Sequence, residues 1–260
     1  MKMDYEKVLA VAKEAALTAG NYLRENFDQK PEIEYKSDIE LVTEKDRESQ
    51  QIIYQIIKEH FPNHSILGEE DLDIIKEKDH LWLIDPIDGT TNFAHSLPLF
   101  SVSIAFLESG KTQLGVVYAP ILGEMFYAIR GAGAFLNNKR LHVSQEKNLD
   151  KAMLCTGFPY DIRESKINNL DLFTKFVLRA LAVRRLGSAA IDLCYTAAGR
   201  LDGFWELKLK PWDTAAAFLI VEEADGIVTD FSNKPFEPFM KECLATNGFI
   251  HSQMLEIINR

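Results

Sequence analysis

Residues 81–93 read Leu-Trp-Leu-Ile-Asp-Pro-Ile-Asp-Gly-Thr-Thr-Asn-Phe and join an apolar run to two carboxylates and a glycine turn. Residues 81–84 predict a buried strand that ends before Pro86, because proline has no N–H to donate to a ladder. Asp85 and Asp88 are then expected on a sharp turn, followed at Gly-Thr-Thr by the first turn of a short helix. Free N–H groups at a helix start attract phosphate, and carboxylate oxygens suit hard cations. The stretch therefore predicts metal-assisted phosphate chemistry, although Asp-Gly is also an ordinary turn signal.

The composition is that of an ordinary globular protein. The chain has 260 residues, 47% hydrophobic and 26% charged, enough for one large or two modest domains. No apolar run approaches the roughly 20 residues of a membrane-spanning helix, and the polar first residues contain no signal-peptide core. Three scattered cysteines without a CxxC pair indicate reduced thiols in a cytoplasmic protein. The formal net charge of −10 argues against broad binding of nucleic acid through its phosphates and fits a site that recruits cations, although an acidic balance also aids solubility.

The first sixty residues carry two helical patterns. Asp4 is expected to cap an amphipathic helix over residues 5–27, in which apolar side chains recur every three or four residues. Residues 32–42 alternate weakly and predict a hairpin or a mobile loop. Thr43 with Asp46 resembles a capping box at the start of a second helix, so helix capping is one interpretation of Asp46.

Beyond the second helix the pattern changes to β-structure. Residues 65–68 predict a short strand just before Glu69, and the charged residues 71–80 predict a surface connection. From residue 99 onward, apolar segments separated by glycine and proline turns predict an antiparallel meander. We therefore expect residues 1–145 to form an α+β domain that carries most of the candidate metal ligands.

The second half of the chain alternates short strands with helices. Residues 188–198 predict a helix ended by Gly199, and residues 213–223 predict another, with Asp213 as its N-cap in the simplest interpretation. Such alternation implies a mainly parallel sheet with helical cover. We therefore expect residues 146–260 to form an α/β domain.

Acidic side chains stand where apolar segments end or helices begin in both halves of the chain. A cleft between the halves is a natural place for such a cluster. Carboxylates at close range raise one another's pKa, and Mg²⁺ relieves this by binding carboxylates together with substrate phosphate oxygens. The members of this predicted cluster are Asp46, Glu69, Asp85, Asp88 and Asp213.

Other catalytic chemistries lack their sequence patterns here. None of the six histidines forms an HxH or HxxxH pair on a continuous helix, since Pro62 separates His60 from His64, so zinc is not expected. The chain also lacks the G-x-S-x-G motif of serine hydrolases and a Walker A loop.

Three motifs together resemble the inositol monophosphatase family of lithium-sensitive, Mg²⁺-dependent sugar phosphatases. They are Gly68-Glu69-Glu70, residues 85–93, and Trp212-Asp213-Thr214-Ala215-Ala216, supported by Leu41-Val42-Thr43 with Asp46 and by Gly187-Ser188-Ala189-Ala190 with Glu206. The resemblance covers nearly the whole chain, and Phe-Pro-Tyr-Asp at residues 158–161 is more similar to bacterial members. It implies a layered αβαβα sandwich, built from an α+β half and an α/β half, in a protein that forms homodimers.

The resemblance also implies roles for individual residues. Two or three Mg²⁺ ions are expected, with Asp85 bridging two of them. The implied catalytic residues are Asp46, Thr90 and Glu69, where Thr90, hydrogen-bonded to Asp46, helps to activate the attacking water. The implied metal ligands are Glu69, Asp85, Asp88, Asp213 and the carbonyl oxygen of Ile87. The implied substrate contacts are Glu69, Ile87, Asp88, Gly89, Thr90, Gly187, Ser188, Ala189, Glu206 and Asp213, with the amides of Gly89 and Thr90 on the phosphate.

The expected reaction is hydrolysis of inositol monophosphate, or of a similar sugar or polyol phosphate, to free alcohol and inorganic phosphate. Fructose-1,6-bisphosphatase and histidinol-phosphate phosphatase activities are alternatives, and a bisphosphate nucleotidase is disfavoured because such enzymes usually carry inserted segments. An interaction protein that keeps the fold is an alternative of another class. We expect a small-molecule substrate, a homodimer, a cytoplasmic location, and neither a membrane nor a direct nucleic-acid partner.

Overall fold

The helices follow the predicted periodic segments closely. A computed structural model of the protein describes residues 3–29, 33–35, 40–70 and 79–260. The helices of these residues are α1 (Tyr5–Asn26), α2 (Glu44–His60), α3 (Thr90–Ala94), α4 (Leu170–Val177), α5 (Ala189–Ala197), α6 (Pro211–Thr214), α7 (Ala217–Glu223) and α8 (His251–Ile258), with a 3-10 turn at Leu149–Lys151.

The strands form two larger sheets and one small pair. They are β1 (Ile33–Tyr35), β2 (Leu41–Thr43), β3 (Ser65–Gly68), β4 (His80–Asp88), β5 (Ser101–Glu108), β6 (Lys111–Ala119), β7 (Glu124–Ile129), β8 (Gly133–Leu136), β9 (Lys139–Arg140), β10 (Met153–Thr156), β11 (Ala182–Arg184), β12 (Gly203–Leu207), β13 (Ile227–Thr229) and β14 (Glu242–Thr246). The predicted loop at 32–42 contains the antiparallel pair β1–β2. Residues 36–39 and most of the predicted connection at 71–80 lie outside the described residues.

Both N-terminal helices begin at the predicted caps. The carboxylate of Asp4 accepts the amides of Glu6 and Lys7 at the start of α1. Thr43 and Asp46 form the predicted capping box at the start of α2. Such reciprocal caps satisfy amides that have no partner inside the helix.

Strand β4 runs further than predicted. We expected the strand to end before Pro86, but β4 continues to Asp88. Its pairing with β5 shifts register between Asp85, opposite Ser103, and Asp88, opposite Ser101. Proline is tolerated at such a bulge, because no ladder hydrogen bond is required there. Both carboxylates therefore lie on an irregular strand end instead of a turn beyond it.

Helices and sheets alternate in five layers. Within the described residues, the larger sheet has seven strands in the order β3-β4-β5-β6-β7-β8-β9, and its part from β5 onward is the predicted antiparallel meander. One buried cluster packs α1 and α2 against one face of this sheet. A second cluster fills the space between the two sheets around α5 and α7, and a third covers the outer face of the smaller sheet with α4 and α8. The layered αβαβα arrangement is thus confirmed.

The smaller sheet is mainly parallel, as predicted: four of its five strands in the described residues run in one direction, and β14 alone opposes them. In the described part of the chain its order is β11-β10-β12-β14-β13. Strand β10 is parallel to both β11 and β12, while β14 is antiparallel to both β12 and β13. No helix separates β13 from β14, and an antiparallel pair needs no helical crossover.

The helical segment around Asp213 also differs from its prediction. Helix α6 begins at Pro211, a residue favoured at the first helical position, so Asp213 is its third residue and not its N-cap. The carboxylate of Asp213 instead reaches back to accept the amide of Lys210 at 2.7 Å. Ala215 and Ala216 keep helical backbone angles between α6 and α7, so the interruption is slight.

The division into domains at residue 145 stays a prediction. The two larger sheets lie on either side of that position in the chain, but one hydrophobic cluster contains residues from both halves. None of the helices in the described residues is long and apolar enough to span a membrane.

Candidate active site

The parallel pair β3–β4 brings two of the predicted acids to one edge. Gly68 lies opposite Ile84 in the register, and the amide of Glu69 donates to the Ile84 carbonyl at 3.1 Å. Glu69, just after β3, and Asp85, on β4, therefore occupy neighbouring positions on adjacent strands. Asp85 is 2% exposed, and its Oδ1 accepts the amide of Ile87 at 3.1 Å.

Asp213 reaches the same place from the second half of the chain. Helix α6 packs on β4 and β5, and Ser103 of β5 donates its hydroxyl to the Trp212 carbonyl at 3.3 Å. The electrostatic effects locate the carboxylates more closely. Burial raises the pKa of Asp85 well above its usual value, and the charges of Glu69, Asp88, Asp213 and Asp46 raise it further. The pKa of Asp213 is raised by burial and then by Glu69, against the Lys210 amide, which lowers it. The charges of the four other predicted acids thus all act on the buried carboxyl group of Asp85.

Asp88 joins β4 to the start of α5. Its oxygens accept hydrogen bonds from the Ser188 hydroxyl, from the amides of Ala189 at 3.1 Å and Ala190 at 2.8 Å, and from the Ser101 hydroxyl at 3.4 Å. Burial raises the pKa of Asp88 to about 6 in spite of these bonds. Asp88 therefore spans the two halves, and the predicted Gly187–Ser188–Ala189 segment lies directly against it.

Thr90 and Asp46 are hydrogen-bonded inside the protein. The Thr90 hydroxyl is 2.9 Å from Asp46 Oδ1 and 3.0 Å from the Ile87 carbonyl oxygen, so its single proton has two possible acceptors. Asp46 Oδ2 accepts the amide of Thr43 at 2.8 Å and its hydroxyl at 2.6 Å. Asp46 is fully buried, and burial raises its pKa to about 6. The capping and catalytic interpretations of Asp46 are therefore compatible, because each uses a different oxygen.

Gly89 allows the close approach of three chain segments. It caps α3 in a left-handed conformation with φ of 98° and offers no side chain to the first amides of the helix. A Cβ at this position would lie 3.1 Å from the carbonyl oxygens of both Gly187 and Leu99. Any larger residue would be strained in its backbone and would push the Gly187 segment away.

Sequence reasoning missed two residues of this site. Asn92 lay in the quoted motif without a role, and its amide donates to the carbonyls of Leu99 at 2.6 Å and Leu186 at 2.7 Å. Asp192, in the first turn of α5, is 1% exposed and has one buried oxygen without a hydrogen-bond partner. The sequence gave no signal for either residue. The role of Asn92 depends on carbonyls elsewhere in the fold. The position of Asp192, four residues after the N-cap Ser188, does not by itself indicate a site.

Glu206 lies within electrostatic range of Asp192. The pKa of Glu206 is raised first by burial and then by the charges of Asp192 and Asp88, while Arg185 lowers it. Glu206 belongs to β12, and Asp88 is the last residue of β4. The predicted substrate-facing residue thus lies on the α5 side of the carboxylate cluster.

The donor set suits a hard divalent cation. Buried carboxylates that raise one another's pKa must take up protons or cations, and the oxygens here come from side chains and from the Ile87 carbonyl. In the described residues, however, no group of three acidic, histidine or cysteine side chains is already arranged to hold a metal ion. Bound Mg²⁺ would therefore also need water and phosphate oxygens, which it usually keeps as ligands.

Comparison with known proteins agrees with this arrangement. A Thermotoga maritima protein named fructose-1,6-bisphosphatase/inositol-1-monophosphatase is 43% identical over 220 residues, which cover 85% of this chain and 83% of that protein. Nus factor SuhB of Pasteurella multocida is 42% identical over 228 residues, 86% of this chain and 85% of its own. The solved structure of inositol monophosphatase from Anabaena superposes with a TM-score of 0.90 at 40% identity, covering 99% of this chain and 97% of that one.

The match extends over almost the entire sequence. The model of the family described as inositol monophosphatase matches residues 4–260, which include every residue of the site described above. Since both the sequence and the fold agree over that length, the chain belongs to the inositol monophosphatase family, a family of phosphatases.

Proposed function

We propose that the protein is a Mg²⁺-dependent phosphomonoesterase that hydrolyses inositol monophosphate, or a similar sugar or polyol phosphate, to the alcohol and inorganic phosphate. The observation that carries this proposal is the convergence of acids from three elements: Glu69 follows β3, Asp85 and Asp88 lie on β4, and Asp213 lies on α6, which packs on β4. The charges of Glu69, Asp88 and Asp213 raise the pKa of Asp85. Such a cluster beside the start of α3 offers oxygens for cations next to amides for an anion.

The proposed ligands are the cluster itself and one carbonyl. Glu69, Asp85, Asp88, Asp213 and the Ile87 carbonyl would hold two or three Mg²⁺ ions. When bound, the ions supply a water of lowered pKa and neutralise the phosphoryl and leaving-group oxygens. The central position of Asp85, whose pKa responds to all the other acids, supports its role as the shared ligand.

The proposed proton path runs through Thr90. If its hydroxyl proton is directed to Asp46 Oδ1, 2.9 Å away, a lone pair on Oγ1 is oriented to accept a proton from the attacking water. Glu69 directly follows β3, the strand beside β4, and would hold the same water. Burial raises the pKa of Asp46 only to about 6, so at neutral pH its carboxylate is mainly ionised and can accept the Thr90 proton.

The remaining predicted residues would bind the two ends of the substrate. The amides of Gly89 and Thr90 start α3, where no side chain caps the helix, and would hold the phosphate. Asp88, Glu206 and residues 187–189 would face the hydroxyl groups of the polyol. A buried carboxylate that accepts hydroxyl donors selects a polyol over an apolar alcohol, because an unpaired buried acceptor costs binding energy.

A phosphate-release assay tests the proposal. Purified protein with Mg²⁺ is expected to release phosphate from inositol 1-phosphate, and exhaustive chelation is expected to abolish release until Mg²⁺ is restored. Asp213→Asn is expected to lose most turnover with an unchanged circular dichroism spectrum. Asp150→Asn is the matched control, because Asp150 is exposed and pairs with Arg179 on the surface. Full activity of Asp213→Asn, or turnover after chelation, would contradict the proposed metal site.

The identity of the substrate separates two candidate activities. The Thermotoga maritima relative carries both fructose-1,6-bisphosphatase and inositol-1-monophosphatase in its name, which supports a dual activity here. Rates on inositol 1-phosphate, fructose 1,6-bisphosphate and histidinol phosphate, measured under one condition, would rank these substrates. Equal low rates on all three would direct the search to another polyol phosphate.

A protein-interaction role is the second candidate function. The relative named Nus factor SuhB favours it. The two roles are separable, because Asp213→Asn is expected to remove hydrolysis without altering the surface. Affinity capture with wild-type protein and with this variant is expected to recover the same partner if the interaction is independent of catalysis. Absence of any stable partner in both captures would remove this candidate.

We also propose a cytoplasmic homodimer. The described cysteines are all buried and unpaired, which agrees with a reducing compartment. Several large apolar side chains around α4 and β11 are exposed, as expected of an interface. They are Leu170, Val177, Leu178 and Leu181. Light scattering after gel filtration is expected to give twice the mass of the 29.5 kDa chain.

A further inference from the structure

The segment from residue 157 to residue 169, between β10 and α4, is anchored at both ends. At its start, Gly157 lies so close to Glu206 that a Cβ would overlap the Glu206 carboxylate. At its end, the Asn169 amide donates to the Gly157 carbonyl at 2.6 Å, and its oxygen accepts the Trp205 indole at 2.7 Å. The segment is therefore held against β12, the strand that carries Glu206.

Lys208 clamps the middle of the same segment. Its Nζ donates to Asp161 Oδ2 at 2.5 Å and to Ser165 Oγ at 2.7 Å. The Lys208 backbone has a φ of 63°, a left-handed conformation that is uncommon for a residue with a side chain. Such conformations persist where surrounding contacts determine them, and they cluster at functional sites. Lys208 is two residues beyond Glu206 in the chain. Its two hydrogen bonds therefore tie residues 161–165 to the end of the strand that carries Glu206.

Tyr160 lies inside this clamped segment, next to Asp161, which accepts the hydrogen bond from Lys208. Its neighbour Pro159 is buried, but Tyr160 itself is 54% exposed. The pKa of its phenol is raised by desolvation first and then by four acidic charges, three of them members of the proposed cluster. These acids are Glu69, Asp213, Glu40 and Asp85. An accessible aromatic ring thus lies in the segment that is held against β12 and Glu206, and the catalytic roles described above do not use it.

We propose that Tyr160 is a specificity-determining residue that packs its ring against the carbon face of the substrate's polyol ring, and that Lys208 positions it through Asp161 and Ser165. This inference rests on the proposed function. A six-membered cyclic polyol presents axial C–H groups on its faces and equatorial hydroxyls at its rim. Aromatic rings supply a large, rigid apolar contact, while the hydroxyls would reach Glu206 and Asp88. A cyclic polyol phosphate would therefore gain more from Tyr160 than an acyclic one.

The test compares KM and kcat for a cyclic and an acyclic substrate. Tyr160→Ala is expected to raise KM for inositol 1-phosphate roughly three- to tenfold, the size of a typical aromatic contact, with kcat changed less than about twofold. KM for glycerol 2-phosphate and inhibition by inorganic phosphate are expected to stay unchanged. Tyr160→Phe, which keeps the ring, is expected to match wild type. An unchanged KM for inositol 1-phosphate in Tyr160→Ala, or an equal rise for glycerol 2-phosphate, would overturn the proposal.

Variants of the clamp test the positioning role separately. Lys208→Gly keeps the left-handed backbone accessible and removes the ammonium group, so it is expected to raise KM for inositol 1-phosphate in the same direction as Tyr160→Ala. The double variant is expected to be no worse than Tyr160→Ala alone, because both changes act through one ring. Additive effects would refute positioning through Tyr160. If wild-type protein hydrolyses neither substrate with Mg²⁺, the proposed function fails; if wild type is active and the variants match it, only this inference fails.

Discussion

Replacing Asp85 with asparagine is expected to stabilise the metal-free protein while removing its response to Mg²⁺. Asp85 is 2% exposed, and its pKa is raised by burial and by Glu69, Asp88 and Asp213. At an effective dielectric constant of about 20, two unit charges about 7 Å apart repel by roughly 2 kcal/mol. Asparagine removes these repulsions and keeps an oxygen that can accept the Ile87 amide.

The expected gain is smaller than the sum of the repulsions. The new amide N–H₂ finds acidic oxygens nearby, but an imperfectly paired polar group costs about 1–3 kcal/mol. A net gain of about 2 kcal/mol corresponds to a rise in Tm of roughly 4–8 °C for a chain of this size. For wild type, Mg²⁺ at about 100 times its Kd contributes about 2.7 kcal/mol through preferential binding to the folded state.

The assay is thermal unfolding, followed by circular dichroism, in EDTA and in Mg²⁺. Wild type is expected to melt at a higher temperature with Mg²⁺, whereas Asp85→Asn is expected to melt above wild type in EDTA and to gain less than half of the wild-type increment from Mg²⁺. Asp150→Asn, on the exposed surface, is expected to behave as wild type in both conditions. A variant that melts below wild type in EDTA and still gains the full Mg²⁺ increment would refute an electrostatic cost at Asp85.

Three further outcomes are expected from other parts of the molecule. Asp46→Ala removes both the acceptor of the Thr43 amide and the acceptor of the Thr90 hydroxyl. It is expected to lower the free energy of unfolding in urea by about 1–2 kcal/mol and to lower kcat at least about 100-fold. Asp46→Asn keeps one acceptor oxygen and is expected to regain much of the stability, and equal losses of stability in both variants would contradict the capping role. Burial, His80 and Lys58 lower the pKa of His64 to about 4, so the folded protein keeps this ring neutral while the unfolded chain protonates it near its usual pKa of about 6.5. The contribution of His64 to stability is therefore expected to be constant above that pH and to fall between about pH 6.5 and 4. The urea midpoint of wild type relative to that of His64→Gln is expected to follow the same course, since the carboxyl groups titrate alike in both proteins. Lithium in the tens of millimolar range, about the concentration needed for a weakly held cation to compete, is expected to inhibit phosphate release, and full activity there would argue against the lithium-sensitive subgroup.

Local signals in the sequence predicted most of the elements, and the errors arose where a distant neighbour decides the structure. The caps at Asp4 and Thr43 and the antiparallel meander were predicted correctly. Pro86 was misjudged because its effect depends on the bulge that β5 creates opposite it. The direction of β14 was missed because the sequence does not record which strand lies beside it. The contacts of Asn92 with Leu186 are likewise set by tertiary packing.

The interpretation of these acids as helix caps and the proposal that they are site residues are compatible within the same side chains. Asp46 caps α2 with one oxygen and holds Thr90 with the other. Asp88 accepts the first amides of α5, and Asp213 accepts the amide that precedes α6. Carboxylates are stabilised at helix starts by unpaired amides and, in longer helices, by the helix dipole. These contacts offset part of the repulsion that burial creates, so the fold can hold a cluster of like charges before any cation binds. Substitutions that remove a cap and a charge together should therefore change stability less than either effect alone would suggest, while still disabling the site.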